Sequence, residues 1–330
     1  MRTRMVTGLL VALALALAAC GTDAGTPGDG PDDGATEALR LYTTVTEDTV
    51  AAVVDAWSAV SDVDVEVFRA PTAEFNARVA AEQREGQIRA DVFWMTDPPS
   101  MLAYEAQGLL HPFEPAEADA LPEAMRADTY WGTRVLNIVI AHREDHAPAP
   151  TSWQDLADPE LADQVAVFDP GFAGSGQVAL GYFAQAEQLG TEFFRALADN
   201  GTTQLQAPGE VLAGVADGRY AAGMLLDKLV RDAIEDGSPV ELVWPEPGAI
   251  QVMSPIAVLG EAAARDTGEA FVDFVLSQDG QAAIAGTGWQ PVRDDVEWEH
   301  QTEPAIAPDY DETFAQREAL LEEWRSAFGG

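Results

Sequence analysis

The chain has 330 residues, 56 of them acidic and 18 basic, for a formal charge of −38. A surface of that sign repels nucleic acid and anionic lipid and excludes both as partners of the folded body. Cys20 is the only cysteine, which rules out an internal disulfide and a cysteine nucleophile paired within the fold. The acids are spread along the chain, as on a solvated surface, and form no cluster that reads as a cation site.

In chain order, Arg2 and Arg4 precede an uncharged apolar run, Val6 to Leu17, closed by small residues. That is the pattern of a secretory signal peptide, too short for a spanning helix. Leu17-Ala18-Ala19-Cys20 resembles a bacterial lipobox, which implies lipidation of Cys20 as the first mature residue. Thr22 to Thr36 is rich in Gly, Pro and Asp and reads as a flexible tether. The expected layout is a signal peptide (1–19), a lipidated cysteine and tether (20–37), and an exported body. That body, roughly 290 residues, is large for one core and natural for two lobes.

Leu39 to Thr43 reads as a strand, Val50 to Trp57 as an amphipathic helix and Val63 to Phe68 as a strand. Ala73 to Gln87 reads as a helix and Ala90 to Trp94 as a strand. Ser100 is placed as the cap of a short helix that Gly108 stops. Alternating strands and helices predict an α/β fold with a parallel sheet. Ligands in such sheets sit beyond the carboxyl ends of strands, where Thr43, Thr44, Trp94 and Thr96 lie. Val135 to Ala141 reads as a strand crossing to a second lobe, and Trp131 and Thr133 before it are possible cleft lining. The second lobe continues with strands at Val165–Phe168, Ala221–Leu226 and Val240–Trp244. Helices are expected over 177–189, 192–199 and 208–217. Ile256 to Leu259 reads as the return strand, and the helices after it, including Glu312 to Phe328, are expected to pack on the first lobe.

Between the Val165–Phe168 strand and the helix after it lies Asp169-Pro-Gly-Phe-Ala-Gly-Ser-Gly176. A Gly-rich turn at a helix start offers backbone N–H groups and a favourable dipole to an anion, and Ser175 adds a hydroxyl. Alone it reads rather as a helix cap that binds nothing. Facing the strand ends of the first lobe, Ser175 and Gly176 become the best candidates for holding an anionic group. Lys228 is the only lysine in the chain and follows Asp227 at a strand end. Together they can meet a zwitterion, or else cap and solvate the helix they begin. Trp94 and Tyr182 can provide an aromatic wall or pack in the core.

Six segments then stand in a recognisable order: Tyr42-Thr43-Thr44, Ala90 to Trp94, Gly108 to Phe113, Pro150 to Pro159, Asp169 to Gly176, and Pro291-Val292-Arg293. Together they resemble the extracellular solute-binding proteins of ABC importers, over nearly all of residues 39–328. The branch they are most similar to holds the ferric-iron and 2-aminoethylphosphonate binders. The resemblance implies a type II periplasmic-binding-protein fold. Two lobes, each a mainly parallel sheet flanked by helices, are joined by two hinge crossings, with lobe 1 over 38–137, lobe 2 over 138–253 and the return to lobe 1 over 254–330. It implies a small-molecule solute and ABC permease subunits as partners, a monomer, no cofactor, and anchoring through lipid on Cys20 to the outer face of the cell membrane or a periplasmic location. In the iron binders an adjacent tyrosine pair follows the strand equivalent to Gly223–Leu226. Here Asp227, Lys228 and Leu229 stand there, and no two tyrosines adjoin.

The expected function is capture of a small anionic or zwitterionic, aminophosphonate-like solute for a permease. The alternatives are a ferric or other metal binder lacking the tyrosine pair, and an exported enzyme on the same scaffold. Gly174-Ser175-Gly176 lacks the spacing of a hydrolase elbow, and no dinucleotide or phosphate-loop motif occurs. His142 and His146 have helical spacing, but the Ala-Pro-Ala-Pro after them argues against a zinc helix.

Overall fold

β1 (Leu39–Thr43) alternates residues that face opposite helical layers: Leu41 packs in one core and Tyr42 in another. The computed structural model that shows this describes residues 38–146, 148–300 and 303–329. The predicted signal peptide, Cys20 and tether lie outside the described residues.

After α1 (Glu47–Ser58), β2 (Val65–Arg69) pairs in parallel with β1; after α2 (Thr72–Glu85), β3 (Val92–Trp94) pairs with its other edge. α3 (Pro98–Glu105) follows, and its cap is Asp97, not Ser100: the Asp97 carboxylate accepts from the Ser100 backbone N–H at 2.9 Å. With prolines at the first helical positions, where no N–H is needed, Asp97 is the residue able to cap.

β4 (Trp131–Arg143) is longer than its predicted core, with Trp131 through His142 all buried. Its first half pairs antiparallel with β9 (below) and its second half with β7. Next come β5 (Val165–Phe168), α4 (Gly174–Gln185), α5 (Glu192–Asp199), β6 (Thr203–Leu205), α6 (Pro208–Ala216), β7 (Ala222–Leu226), α7 (Asp227–Glu235) and β8 (Val240–Val243). β6 was not expected; its three residues are half-buried and polar at two positions, too short for a period to show. β9 (Ala249–Val258) begins seven residues before the expected return strand. Pro255 hides that continuity. It stands opposite Gly132, where the β4 register slips, so its missing N–H removes no ladder bond. The chain closes with α8 (Arg265–Leu276), α9 (Gln278–Gly286), β10 (Gln290–Pro291), β11 (Ala305–Ile306) and α10 (Tyr310–Phe328).

The main sheet runs β2-β1-β3-β9-β4-β7-β5-β6. β2-β1-β3 and β7-β5-β6 are parallel sets, one in each lobe, and the antiparallel pair β4–β9 crosses between them. This is the type II periplasmic-binding-protein arrangement. α10 differs from expectation: it packs chiefly against α4, then α3 and α5, and so touches both lobes. Among the described residues no helix is long and apolar enough to cross a membrane.

Candidate functional site

The carboxyl ends of β1, β2 and β3 face the start of α4 and the loop after β6 across a cleft of about 320 Å³. From the first lobe come Thr44, Thr46 and Thr96, with Arg69 at the end of β2 and Pro71 and Thr72 just after it. The second lobe contributes Phe172 to Ser175, Gln206 to Gly209, Leu226 and Leu229. Leu136 of β4 and Trp289 complete the lining.

The polar groups are few and placed. Thr44 and Thr96 hydroxyls lie 3.1 Å apart, and the Thr96 backbone N–H donates to Thr44 Oγ1 at 2.9 Å. Arg69 donates from Nε to the Val45 carbonyl at 2.8 Å, which holds its guanidinium at the cleft. Opposite, α4 begins at Gly174 with no side-chain cap. The helix starts three residues earlier than its periodic run, so Ser175 and Gly176 form its first turn. The amides of Gly174 and Ser175 have no intrahelical acceptor. Although acids outnumber basic residues about threefold in the chain, the described residues that line this cleft include one arginine and no aspartate or glutamate.

Of the residues proposed from sequence, Thr44, Thr96 and Ser175 meet at this cleft. Thr43 does not: it is fully buried and donates to the Trp94 carbonyl at 2.8 Å. Trp94 is no aromatic wall here, since its ring is buried and its Nε1 donates to Thr133 Oγ1 at 2.8 Å. Thr133 in turn donates to the Ser254 carbonyl, and Trp131 is buried beside it in β4. Gly176 is not part of the lining, and a Cβ built on it would stand 2.7 Å from the Pro170 α-carbon. Tyr182 is buried against Trp153 and Phe183 and borders a different hollow.

Asp227 and Lys228 lie just behind the wall formed by Leu226 and Leu229 and are already engaged. Asp227 accepts from Arg231 Nη1 at 2.6 Å and from the Asn137 backbone N–H at 3.2 Å. Lys228 donates to Asp232 at 2.6 Å, with Asp48 at 3.5 Å. Arg231 and Asp232 stand one helical turn along α7 and Asp48 stands on α1, so these charges are met by ion pairs outside the cleft lining. Arg69, Thr72 and Trp289 were missed. Arg69 ends β2 and Thr72 lies just beyond it, at a strand end like Thr44 and Thr96, and both were open to the same argument. Gln206 to Gly209 follow the unrecognised β6.

Asp97 lies between the lobes. It is fully buried, Oδ2 has no hydrogen-bond partner, and a Cβ built on Gly174 would stand 1.7 Å from that oxygen. Burial raises its pKa above the ordinary carboxylate value, and the bonds from Ser100 offset this only in part. Because the folded pKa exceeds the unfolded one, the folded chain holds the proton more tightly, and stability falls as pH rises through that interval. Asp97→Asn keeps a good cap and removes the charge. Thermal melts should show Asp97→Asn more stable than wild type at neutral pH, the gap narrowing as pH falls toward about 4. A gap that widens in acid would contradict this assignment.

A sequence model described as bacterial extracellular solute-binding protein matches residues 39–290. An uncharacterized protein of Haemophilus influenzae is 29% identical over 244 residues, 67% of each chain. The periplasmic binding protein AfuA from Actinobacillus pleuropneumoniae, solved with exogenous fructose-6-phosphate bound, superposes with a TM-score of 0.78 at 21% identity, covering 88% of this chain and 98% of that one. The ferric binding protein from Campylobacter jejuni gives 0.78 at 15% identity, covering 88% and 99%. With the family sequence pattern running through both parallel sheets and the cleft between them, the chain belongs to the bacterial extracellular solute-binding proteins.

Proposed function

We propose that the chain captures a small anionic solute, phosphate- or phosphonate-bearing, between its lobes and delivers it to the permease of an ABC importer. The observation that carries this is the cleft lining: an arginine, an uncapped helix start, four threonines and a serine and, among the described residues, no acid, in a strongly acidic chain. The cleft volume suits a small organic solute. AfuA, which binds a sugar phosphate, shares the fold and supports the class. A ferric ion needs anionic oxygen donors, which this lining does not offer. An amine on the solute would find its acidic partner elsewhere than Asp227, whose oxygens are taken. Lobe 1 (38–137 with 254–330) and lobe 2 (138–253) close by a hinge at β4 and β9, without turnover. Cys20 carries the lipid that holds the monomer at the outer face of the membrane; Cys20→Ser should release the chain from the membrane fraction.

The test is a thermal-shift panel with inorganic phosphate, methylphosphonate, 2-aminoethylphosphonate, fructose 6-phosphate and ferric ion. At a hundredfold excess over Kd a ligand adds about 2.7 kcal/mol by mass action. Arg69→Glu should weaken the effective anion by roughly tenfold or more, the worth of a hydrogen bond to a charged group. Stabilisation by ferric ion and by none of the anions would overturn the proposal. Turnover of the stabilising compound would overturn its binding-only part.

A further inference from the structure

Arg134 is fully buried, yet its Nε and Nη2 have no hydrogen-bond partner. Nη1 reaches only the Thr49 hydroxyl, at 3.3 Å. No carboxylate lies within ion-pairing distance among the described residues; the nearest acid that acts on it, Asp48, is half-exposed and already shared with Lys228. Burial pushes its pKa down to about 9, which marks how poorly the charge is compensated. A buried cation with orphaned donors is costly, so a fold that keeps one has a use for it or a partner to come.

Its position says where that partner would stand. On β4, Arg134 and Leu136 project from the same face, and Leu136 lines the cleft. Between Arg134 and the cleft lies the Trp289 ring, with the guanidinium 4.6 Å from the ring centroid. Trp289 borders the cleft, although its ring is almost wholly buried, and its Nε1 has no partner either. Lys228 Nζ is 5.7 Å from the same ring. The floor of the cleft is thus an indole backed by a buried cation. The backbone before it is pinned, since Arg231 Nη2 donates to the Gly288 carbonyl at 2.8 Å.

We infer that Arg134 is the deep anion-pairing residue of this cleft and that Trp289 is its movable cover. The anionic group of the solute displaces the ring from the guanidinium and takes its orphaned donors, an oxyanion with two acceptor oxygens matching the planar fork. This rests on the anionic-solute reading above and adds to it a residue and a geometry: the acidic group enters first and deepest, with the rest of the solute toward Arg69 and Ser175.

The experiment is calorimetric titration of inorganic phosphate and methylphosphonate into wild type, Arg134→Met and Trp289→Ala at low salt. Arg134→Met is expected to bind both at least about tenfold more weakly while melting at or above the wild-type temperature, because an uncompensated buried charge has been removed. Trp289→Ala is expected to bind them as tightly as wild type or more so. An Arg134→Met chain that binds within about twofold of wild type overturns the inference and leaves the anionic-solute reading standing. A Trp289→Ala chain that binds more weakly overturns the cover role. If Arg134→Met fails to fold, Arg134→Lys is judged by the same measure, since a point charge on a shorter reach does not reproduce the fork. No response of wild type to any anion overturns both readings.

Discussion

Gly174→Ala is expected to weaken capture of an anionic solute roughly five- to 150-fold, while leaving each lobe folded. The added methyl would stand 1.7 Å from Asp97 Oδ2, 2.5 Å from its Cγ and 3.1 Å from Thr72 Oγ1. Asp97 cannot swing aside without giving up the Ser100 cap at 2.9 Å, and it is enclosed on all sides. The strain is therefore relieved by drawing α4 away from the end of β3, which widens the cleft between Thr72 and Ser175. Overpacking of this kind costs about 1–3 kcal/mol, and that energy is charged to the closed arrangement alone. Titration with phosphate reads the loss, and small-angle scattering should show a larger radius of gyration. Asp97→Ala in the same chain removes the atoms that clash and should restore much of the affinity, a coupling only contact between the two sites explains. Equal losses in Gly174→Ala with and without Asp97→Ala would show that the contact does not govern closure.

The order of strands and helices, the parallel sheets and the crossing were legible because apolar runs such as Val135–Ala141 and Val165–Phe168 carry their burial in their composition. β6 and the first half of β9 were not, because one is three residues long and Pro255 interrupts the run that would join the other to the expected return strand. The site was legible only as a set of strand ends. Which end residue faces the cleft depends on partners far away in sequence: Trp94 turns inward because Thr133 accepts its indole N–H, 39 residues on. Asp227 and Lys228 illustrate a signal that was present and outweighed by their strand-end position. Their partners Arg231 and Asp232 stand at i+4, the spacing of pairs satisfied on one helix. Arg134 carried no signal at all, since an arginine in an apolar strand reads the same whether its partner is a carboxylate, an aromatic face or a ligand.

The other large effect is on stability, at the far edge of the second lobe. Trp324→Ala is expected to cost about 3–5 kcal/mol, the range for a buried tryptophan truncated to alanine. Trp324 is buried on α10, its ring 5.4 Å from Phe194 of α5 and 4.4 Å from Phe328, and its Nε1 donates to Gln204 Oε1 at 2.6 Å. Gln204 is the middle residue of β6, an edge strand of three residues that pairs on one side only. So short a strand has little hold of its own, and the indole ties it to α10 from outside the sheet. Chemical denaturation measures the total. Gln204→Leu, which removes the hydrogen bond and keeps the ring, should cost only about 0.5–1.5 kcal/mol. If Trp324→Ala cost no more than Gln204→Leu, the ring would be no part of the core. Because Gln206 to Gly209 follow β6 directly and form one wall of the cleft, loosening the strand should also weaken anion binding. Gln204→Leu, with the ring still packed, should leave that binding nearly unchanged. The contrast separates the packing of α10 against β6 from the single bond that accompanies it, and makes the C-terminal helix a support of the binding wall.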